Sequence, residues 1–205
     1  MAKARLTYFD APVSRGEECR LALHLAGVDF EDHRLTREQW AAVKPTTPFG
    51  SAPVLDWPGK PALAQSNAIL TFVGRRYDLH PKDDFEAARH EAMMGHVEDL
   101  RAAITPTMRM TDEAEKKRAR EQLSATYIPA WAAYAERQID ADGPFFGGAT
   151  VQVVDFKILM IVRWLKSGAL DHVPGTVLDG APRLHRVHDA VDAHPRVRDW
   201  YEKRG

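Results

Sequence analysis

The chain is poor in cysteine, in long apolar runs and in any excess of charge of one sign. Its single cysteine, Cys19, excludes an intramolecular disulfide and a Cys-x-x-Cys motif. The longest apolar stretch, around residues 156–165, is interrupted by Lys157 and Arg163 and is shorter than the roughly 18 to 20 residues that span a bilayer. The first residues also lack the apolar core of a signal peptide. We therefore expect no membrane partner and a cytoplasmic location.

The charges are nearly balanced, with 28 lysines and arginines against 29 aspartates and glutamates in 205 residues. A protein that neutralises nucleic-acid phosphates needs a basic face and a high isoelectric point, so we expect no nucleic-acid partner. Hydrophobic residues make up 44% of the chain and charged residues 28%, which is ordinary for a globular protein. The composition therefore predicts a folded protein and disfavours disorder.

The first part of the chain has the pattern of an α/β unit. Residues 6–9 predict a strand, residues 15–26 a helix that ends at Gly27, and residues 28–35 a second strand. Because a helix separates these two strands, we expect them to be parallel. Pro58 and Gly59 then predict a tight turn that joins two short antiparallel strands, before a helix over residues 66–77. The predicted order is βαβ followed by ββα.

A polar, Pro-containing segment over residues 78–84 predicts a linker, and the chain beyond it is helical in pattern. Apolar residues recur at helical spacing in five segments: 86–110, 113–140, 153–167, 183–193 and 195–203. Pro129 predicts a kink in the second of them. We therefore expect an α/β domain over residues 1–79 and an all-helical domain over residues 86–205.

Two short segments of the α/β part have the features of a peptide-binding site. Pro53 stands at the start of a strand or after a cis bond, which leaves the amide and carbonyl of Ala52 free to pair with a ligand backbone. Gln65 and Ser66 open a helix, where a hydroxyl and unpaired amides suit a carboxylate. The sequence therefore predicts a binder of an extended, acidic peptide.

Six segments of the chain carry a resemblance to a known family. They are Tyr8-Phe9, the helix start from Arg15 to Arg20, Trp40 with Lys44, Pro48-Phe49-Gly50, Ala52 to Leu55, and Gln65-Ser66. In order and approximate spacing they resemble the Tyr-type cytosolic glutathione transferases, most closely the sigma class. The resemblance extends over the whole chain. It implies a thioredoxin-like, glutathione-binding domain over residues 1–79, and a helical domain over residues 86–205 with the second-substrate site and the dimer contacts.

The resemblance assigns catalysis to two residues. Tyr8 lies where the family has the tyrosine whose hydroxyl donates a hydrogen bond to the glutathione sulfur. A free thiol has a pKa of about 8.5, so a positioned donor and nearby positive charge favour the nucleophilic thiolate. Arg15 resembles the arginine that supports this thiolate or contacts the substrate. Without the resemblance, Tyr8 would read as an ordinary strand aromatic and Arg15 as a solvated helix-start residue.

The resemblance also implies how the rest of glutathione is bound. Trp40 and Lys44 would contact the glycyl end through an indole N–H and an ammonium. Ala52, preceding a cis Pro53, would bond the cysteinyl backbone.

Gln65 and Ser66 would hold the γ-glutamyl carboxylate. Asp99 would reach across a homodimer to the γ-glutamyl ammonium of the other subunit, although an exposed helical carboxylate is the alternative interpretation. We therefore expect glutathione as co-substrate and a homodimeric protein.

The second-substrate pocket is expected between the loop that follows Tyr8 and the first helix of the helical domain. We expect Phe9, Val13, Met108 and Met110 to line it, although core packing is the commoner role of methionine. No metal is expected, because His185 and His188 lack a third ligand at a suitable spacing.

Three interpretations of function remain open on the sequence. The first is a glutathione transferase that conjugates the glutathione thiolate to a small apolar electrophile. The second is a glutathione-dependent isomerase or peroxidase, similar to a prostaglandin synthase. The third is a non-catalytic ligand-binding protein of the same fold, which the intact set of glutathione residues disfavours. A reactive role for Cys19 is disfavoured, because it lies inside the first helix and free cysteines are usually buried.

Overall fold

The computed structural model describes residues 3–204 and contains a four-stranded mixed sheet in its first part. The strand order is β2-β1-β3-β4, with β1 parallel to β2 and antiparallel to β3. The elements of this part are β1 (Ala4–Phe9), α1 (Ser14–Leu25), β2 (Phe30–Leu35), α2 (Arg37–Val43), β3 (Val54–Asp56), β4 (Leu63–Ala64) and α3 (Ser66–Arg76). The predicted βαβ and ββα order and the parallel first pair are confirmed.

Helices make up the second part of the chain. They are α4 (Asp84–Ile104), α5 (Glu113–Gln122), α6 (Ile128–Gln138), α7 (Val153–Lys166), α8 (Pro182–Asp192) and α9 (Pro195–Arg204). None of the helices in the described range is long and apolar enough to cross a membrane. The predicted fold class, a thioredoxin-like α/β part followed by a helical part, is confirmed.

The second predicted helix is interrupted near Pro129. A π-helical turn over Leu123–Tyr127 separates α5 from α6, and Pro129 is the second residue of α6. Proline has no N–H to donate to the preceding turn, so the regular helical ladder cannot continue through it.

The first helix of the molecule is buried along most of its length. Every residue from Gly16 to Leu23 is buried, because α1 contacts β1, α3, α7 and α9. Its apolar residues complete the core between the sheet and α7, which is itself buried over nearly all of its turns. The same burial places three charged residues of α1 away from water: Glu17, Glu18 and Arg20.

The linker segment is packed against the helical part. The backbone N–H of Val153, the first residue of α7, donates to the carbonyl of Leu79 at 2.9 Å, and His80 is buried. At the start of α7, the buried Asp155 carboxylate accepts from the backbone N–H of Gln152 at 2.7 Å and of Phe146 at 2.8 Å. These bonds connect the start of the central helix to the residues before it.

Candidate functional site

Tyr8 lies near the end of β1, with its ring against the first turn of α1. A Cβ atom added at Gly16 would lie 1.9 Å from Tyr8 Cδ1, so the ring occupies the space that any other residue at position 16 would need. On its other side, Tyr8 contacts Phe9 in an edge-on arrangement with 5.3 Å between ring centroids. Phe9 in turn contacts Trp40 at 5.7 Å. The orientation of Tyr8 is therefore set by packing.

The environment of Tyr8 keeps its phenol protonated. Burial and the charge of Glu18 raise the pKa of Tyr8 above its ordinary value, while Arg15 and a hydrogen bond with Ser14 oppose the rise. A tyrosine with a raised pKa retains its proton at neutral pH. Tyr8 is therefore suited to donate a hydrogen bond to an anion.

The loop that follows Tyr8 is fixed by a buried arginine. Arg20 donates to the carbonyl of Phe9 at 3.0 Å and to the carbonyl of Ala11 at 2.9 Å. Its Nε also donates to Asp32 at 2.8 Å. Arg20 thus connects α1, β2 and the loop, which makes it a positioning residue for the loop beside Tyr8.

The predicted peptide-binding segments lie at the start of β3 and of α3. The Ala52–Pro53 bond is cis, and Ala52 is half-buried directly before the strand. Gln65 is exposed and has φ of 72°, a left-handed conformation that is uncommon outside glycine. Ser66 follows as the first residue of α3 and is buried, with Nζ of Lys157 donating to its hydroxyl at 3.4 Å.

Trp40 and Lys44 lie on and directly after α2. Trp40 is half-buried and faces Phe9, whereas Lys44 is exposed. The backbone N–H of Lys44 donates to the Trp40 carbonyl. A Cβ atom at Gly50 would lie 3.7 Å from Lys44 Cε, so the lysine stem passes over the turn at Gly50.

A buried ion network joins α1, α4 and α7 beside this site, and sequence reasoning missed it. Nζ of Lys157 donates to Glu98 at 2.5 Å and to Glu18 at 3.1 Å. Arg101 bonds both of these carboxylates, at 2.8 Å to Glu98 and at a shorter distance to Glu18. Arg15 bonds Glu98 at 2.6 Å. We call these five residues the ion network.

The ion network contains three cations and two carboxylates, so it holds one positive charge in excess. Burial alone would raise the pKa of Glu98, but Lys157, Arg101 and Arg15 lower it to about 2. The pKa of Glu18 is likewise lowered by Arg101 and Lys157 against the effect of burial. Both carboxylates are therefore ionised at neutral pH. Of the three cations, Arg15 has the most exposed side chain, at 37%.

A cavity of about 900 Å³ is lined by Arg15 and by Ser14, whose side chain is hydrogen-bonded to Tyr8. Two of the four predicted pocket residues, Val13 and Met108, line it. The other two lie elsewhere, with Phe9 against Tyr8 and Trp40, and Met110 just after the 3₁₀ turn Thr105–Arg109. The remaining lining residues are Pro12, Ser14, Arg15, Arg101, Thr105, Met160, Arg163, Trp164, Ser167, Ala169, Asp192 and Tyr201.

The other candidate residues have distinct environments. Asp99 is exposed on α4, next to Glu98 of the ion network. Cys19 is fully buried, and burial together with the charge of Glu18 raises the pKa of its thiol, so it stays protonated. Within residues 3–204, no three or more His, Cys, Asp or Glu side chains form a group that could hold a metal ion.

Comparisons with known proteins agree over both parts of the chain. Residues 4–75 match the family model of the glutathione S-transferase N-terminal domain, and residues 98–204 match that of the C-terminal domain. The chain is 40% identical to glutathione S-transferase 1 of Ascaris suum, over 100% of this chain and 98% of that protein. It is 30% identical to hematopoietic prostaglandin D synthase of Gallus gallus, over 100% and 98% of the two chains. The solved structure of prostaglandin synthase D of Nilaparvata lugens matches with a TM-score of 0.87 and 29% identity, and the match covers 100% of this chain and 99% of that one.

Proposed function

Since the chain belongs to the glutathione S-transferase family, it is an enzyme with glutathione as co-substrate, and we propose that the Tyr8 hydroxyl holds the glutathione sulfur as a thiolate. The observation that carries this proposal is the buried Tyr8, packed against Gly16 and beside a network with one excess positive charge. A hydrogen bond from Tyr8 and the field of Arg15 both favour the anionic sulfur over the thiol.

The enzyme conjugates glutathione to small apolar electrophiles. The thiol releases its proton to solvent, and the thiolate sulfur attacks an electrophilic carbon. A carbon–sulfur bond forms, and in a substitution the bond to the leaving anion breaks. Placing the two reactants side by side makes the attack effectively unimolecular. In our proposal the cavity beside Arg15 holds the electrophile, with Val13 and Met108 among its walls.

Glutathione would be bound by groups at the start of β3 and at the start of α3. We propose that Ala52 bonds the cysteinyl backbone ahead of Pro53, and that Gln65 and Ser66 hold the γ-glutamyl carboxylate. The Ser66 hydroxyl accepts from Lys157, which leaves its own proton to donate to that carboxylate.

The same proposal assigns the glycyl carboxylate to the Trp40 indole N–H and to the exposed ammonium of Lys44. Membership of the family supports binding of glutathione and of an electrophile, and the family is generally dimeric. We extend this to a homodimer in the cytoplasm, as the resemblance to the cytosolic classes implies.

An isomerase of the prostaglandin-synthase kind is the second candidate function. Its support is that one relative and one solved structure with full-length similarity are named prostaglandin D synthase or prostaglandin synthase D. In such a reaction the thiolate adds to the substrate and is released again, so glutathione is not consumed. Measuring glutathione consumption alongside product formation separates the two functions.

Replacing Tyr8 by Phe removes the hydrogen bond to sulfur while keeping the ring that packs on Gly16. We expect activity towards 1-chloro-2,4-dinitrobenzene to fall by about tenfold or more, since about 1.4 kcal/mol of transition-state stabilisation corresponds to that factor. Glutathione affinity by calorimetry should be nearly unchanged, and the ultraviolet absorbance of bound thiolate should decrease at pH 7.

Tyr134→Phe is the matched control, because Tyr134 is 57% exposed on α6. It belongs neither to the residues that we propose to bind glutathione nor to the cavity for the electrophile. The variant should retain full activity. If Tyr8→Phe also retains full activity and the full thiolate signal, the role of Tyr8 is wrong. Absence of glutathione binding by the unsubstituted protein would contradict the assignment of the glutathione subsite.

A further inference from the structure

The cavity beside the glutathione subsite contains an arginine that the conjugation mechanism does not use. Arg163, on α7, donates from Nη1 to the Tyr201 hydroxyl at 2.8 Å and from Nη2 to Asp192 Oδ1 at 2.5 Å. Arg163, Asp192 and Tyr201 all line the cavity. The guanidinium of Arg163 also lies 5.0 Å from the centre of the Tyr201 ring.

The three arginines of the cavity differ in how their charge is matched. Arg101 is bonded to two carboxylates of the ion network, and Arg15 to one of them. The carboxylate partner of Arg163 is Asp192, whose side chain is 54% exposed. An ion pair open to water contributes little, typically about 0 to 1 kcal/mol. Of the three arginines, Arg163 is therefore the one whose carboxylate partner a ligand anion can replace at a small cost in free energy.

Tyr201 adds a second donor at the same place. Burial and the charge of Glu17 raise the pKa of Tyr201 to about 12, so the phenol keeps its proton. Its oxygen accepts from Arg163, which leaves the O–H free to donate to an anion. A guanidinium and a hydroxyl in hydrogen-bond contact thus lie side by side in the cavity lining.

Apolar side chains form much of the rest of the cavity. Val13, Met108, Met160 and Trp164 line it together with Pro12. Walls of this kind favour an apolar body, and thioether side chains adapt to different shapes. A ligand that suits the whole cavity has an apolar body and one anionic group.

We propose that the second substrate is an amphiphilic electrophile with a carboxylate, and that Arg163 and Tyr201 bind this carboxylate in place of Asp192. The inference rests on the proposed function, because it specifies the substrate of the same site. Ser14 and Arg15 line the same cavity, so a carboxylate held at Arg163 leaves the apolar, reactive part of the molecule for the thiolate. Arg163 is thus a specificity-determining residue.

The test compares two electrophiles that share the reactive ring and differ in charge and by one methyl group. They are 4-chloro-3-nitrobenzoate and its methyl ester, with kcat/KM measured for each at saturating glutathione. The unsubstituted enzyme should prefer the benzoate, relative to the uncatalysed rates, and Arg163→Gln should lower that preference by about tenfold, as expected for a charge-assisted hydrogen bond. Asp192→Asn should raise the preference by about threefold, because it removes the competing carboxylate.

Lys166→Gln is the matched control for the loss of a cation from α7. Lys166 lies one turn after Arg163 and faces Asp189 at 3.9 Å, and it is not among the lining residues of the cavity. It should leave the preference unchanged. The proposal is wrong if Arg163→Gln lowers kcat/KM equally for the two substrates. It is also wrong if Asp192→Asn has no effect on kcat/KM for the benzoate.

A binding measurement tests the inference separately from catalysis. The probes are 2-naphthoate and its methyl ester, titrated by calorimetry into the glutathione-loaded enzyme. Naphthoate should bind about tenfold more weakly to Arg163→Gln and more tightly to Asp192→Asn, while the ester is unaffected. Equal binding of naphthoate to all variants would overturn the inference. Conjugation of the methyl ester, and its loss in Tyr8→Phe, would still support the proposed function.

Discussion

Gly16 is the residue on which the placement of Tyr8 most depends. The ring of Tyr8 lies where a side chain at position 16 would begin, and the backbone of Gly16 does not need a positive φ. The requirement at this position is therefore space alone. Glycine in a helix costs about 1 kcal/mol relative to alanine, so its presence in α1 needs a packing reason, which Tyr8 provides.

Gly16→Ala should displace the Tyr8 ring and lower both stability and activity. We expect a loss of about 1 to 3 kcal/mol in the free energy of unfolding, as for other overpacked sites. Conjugation activity should fall by at least as much as in Tyr8→Phe, since both the hydroxyl and the ring would leave their positions. Chemical denaturation and the chloronitrobenzene assay measure the two effects.

Gly95→Ala provides the control at a second helical glycine. A Cβ at Gly95, on α4, would meet nothing within 4 Å. This substitution should be neutral or should stabilise the protein by about 0.4 to 1 kcal/mol, because alanine has fewer unfolded conformations. Equal behaviour of the two variants would show that Tyr8 does not depend on Gly16 for its position.

At the scale of elements, α1 and α7 are joined by a fully buried ion pair. Lys157 and Glu18 both have 0% side-chain exposure and lie 3.1 Å apart. Removing one partner leaves the other buried with a single opposite charge, Arg101 for Glu18 and Glu98 for Lys157, so the remaining charge is less well compensated and the protein is destabilised. Replacing both by apolar residues removes this penalty.

The double variant Glu18→Leu/Lys157→Met should therefore be less destabilised than the sum of its single variants, by more than about 1 kcal/mol. Urea unfolding at one fixed protein concentration measures this coupling. The pair Lys117 and Glu121, on α5, is the control, because both side chains are more than half exposed at 3.8 Å. Its coupling should be near zero, and an equal coupling at the two pairs would contradict the argument.

Sequence reasoning recovered most of the elements, although not α2, and it did not recover the contacts between their charged residues. The strands, the turn at Pro58 and the interruption at Pro129 followed from local patterns that act over a few residues. The pairing of Lys157 with Glu18 joins positions 139 residues apart, and no local pattern encodes such a distance. One signal was present, since a lysine within the apolar run of α7 has to be buried and therefore needs a partner.

Parts of the candidate site show the same limit. The helix start at Ser66 could be predicted because a helix start has a local signature, whereas the cavity depends on how α4, α7, α8 and α9 meet. Arg163 and Trp164 were therefore not predicted to line it. Met108 and Met110 have the same side chain and differ by two positions, and only the end of the 3₁₀ turn separates their environments.

The ion network also predicts how the whole molecule responds to acid. Glu98 has a folded pKa of about 2 against an unfolded value of about 4.5, so its stabilising effect is complete above pH 4.5 and is lost as the pH falls towards 2. We expect the difference in stability between the unsubstituted protein and Glu98→Gln to shrink by about 2 kcal/mol over this interval, allowing for partial exposure.

Acid unfolding monitored by circular dichroism measures this difference. Burial lowers the pKa of His90 to about 4, and its protonation affects both proteins alike, so it cancels. Glu202→Gln, at an exposed position of α9, is the charge control. Its difference in stability from the unsubstituted protein should not shrink between pH 4.5 and 2. A difference that stays constant from pH 4.5 to 2 would mean that the network does not hold Glu98 ionised.

The proposed homodimer makes a prediction about which subunit completes each site. Asp99→Asn should raise the KM for glutathione by about tenfold with little change in kcat, because one charge-assisted hydrogen bond to the γ-glutamyl ammonium is lost. A hybrid dimer of one Asp99→Asn subunit and one Tyr8→Phe subunit, isolated with two affinity tags, distinguishes the two arrangements. If Asp99 acts across the interface, the hybrid holds one intact site and has half the activity of the unsubstituted dimer at low glutathione. If Asp99 acts within its own subunit, no site is intact, and the hybrid is no more active than the average of its parent homodimers. A monomer in sedimentation at assay concentrations would contradict the homodimer itself.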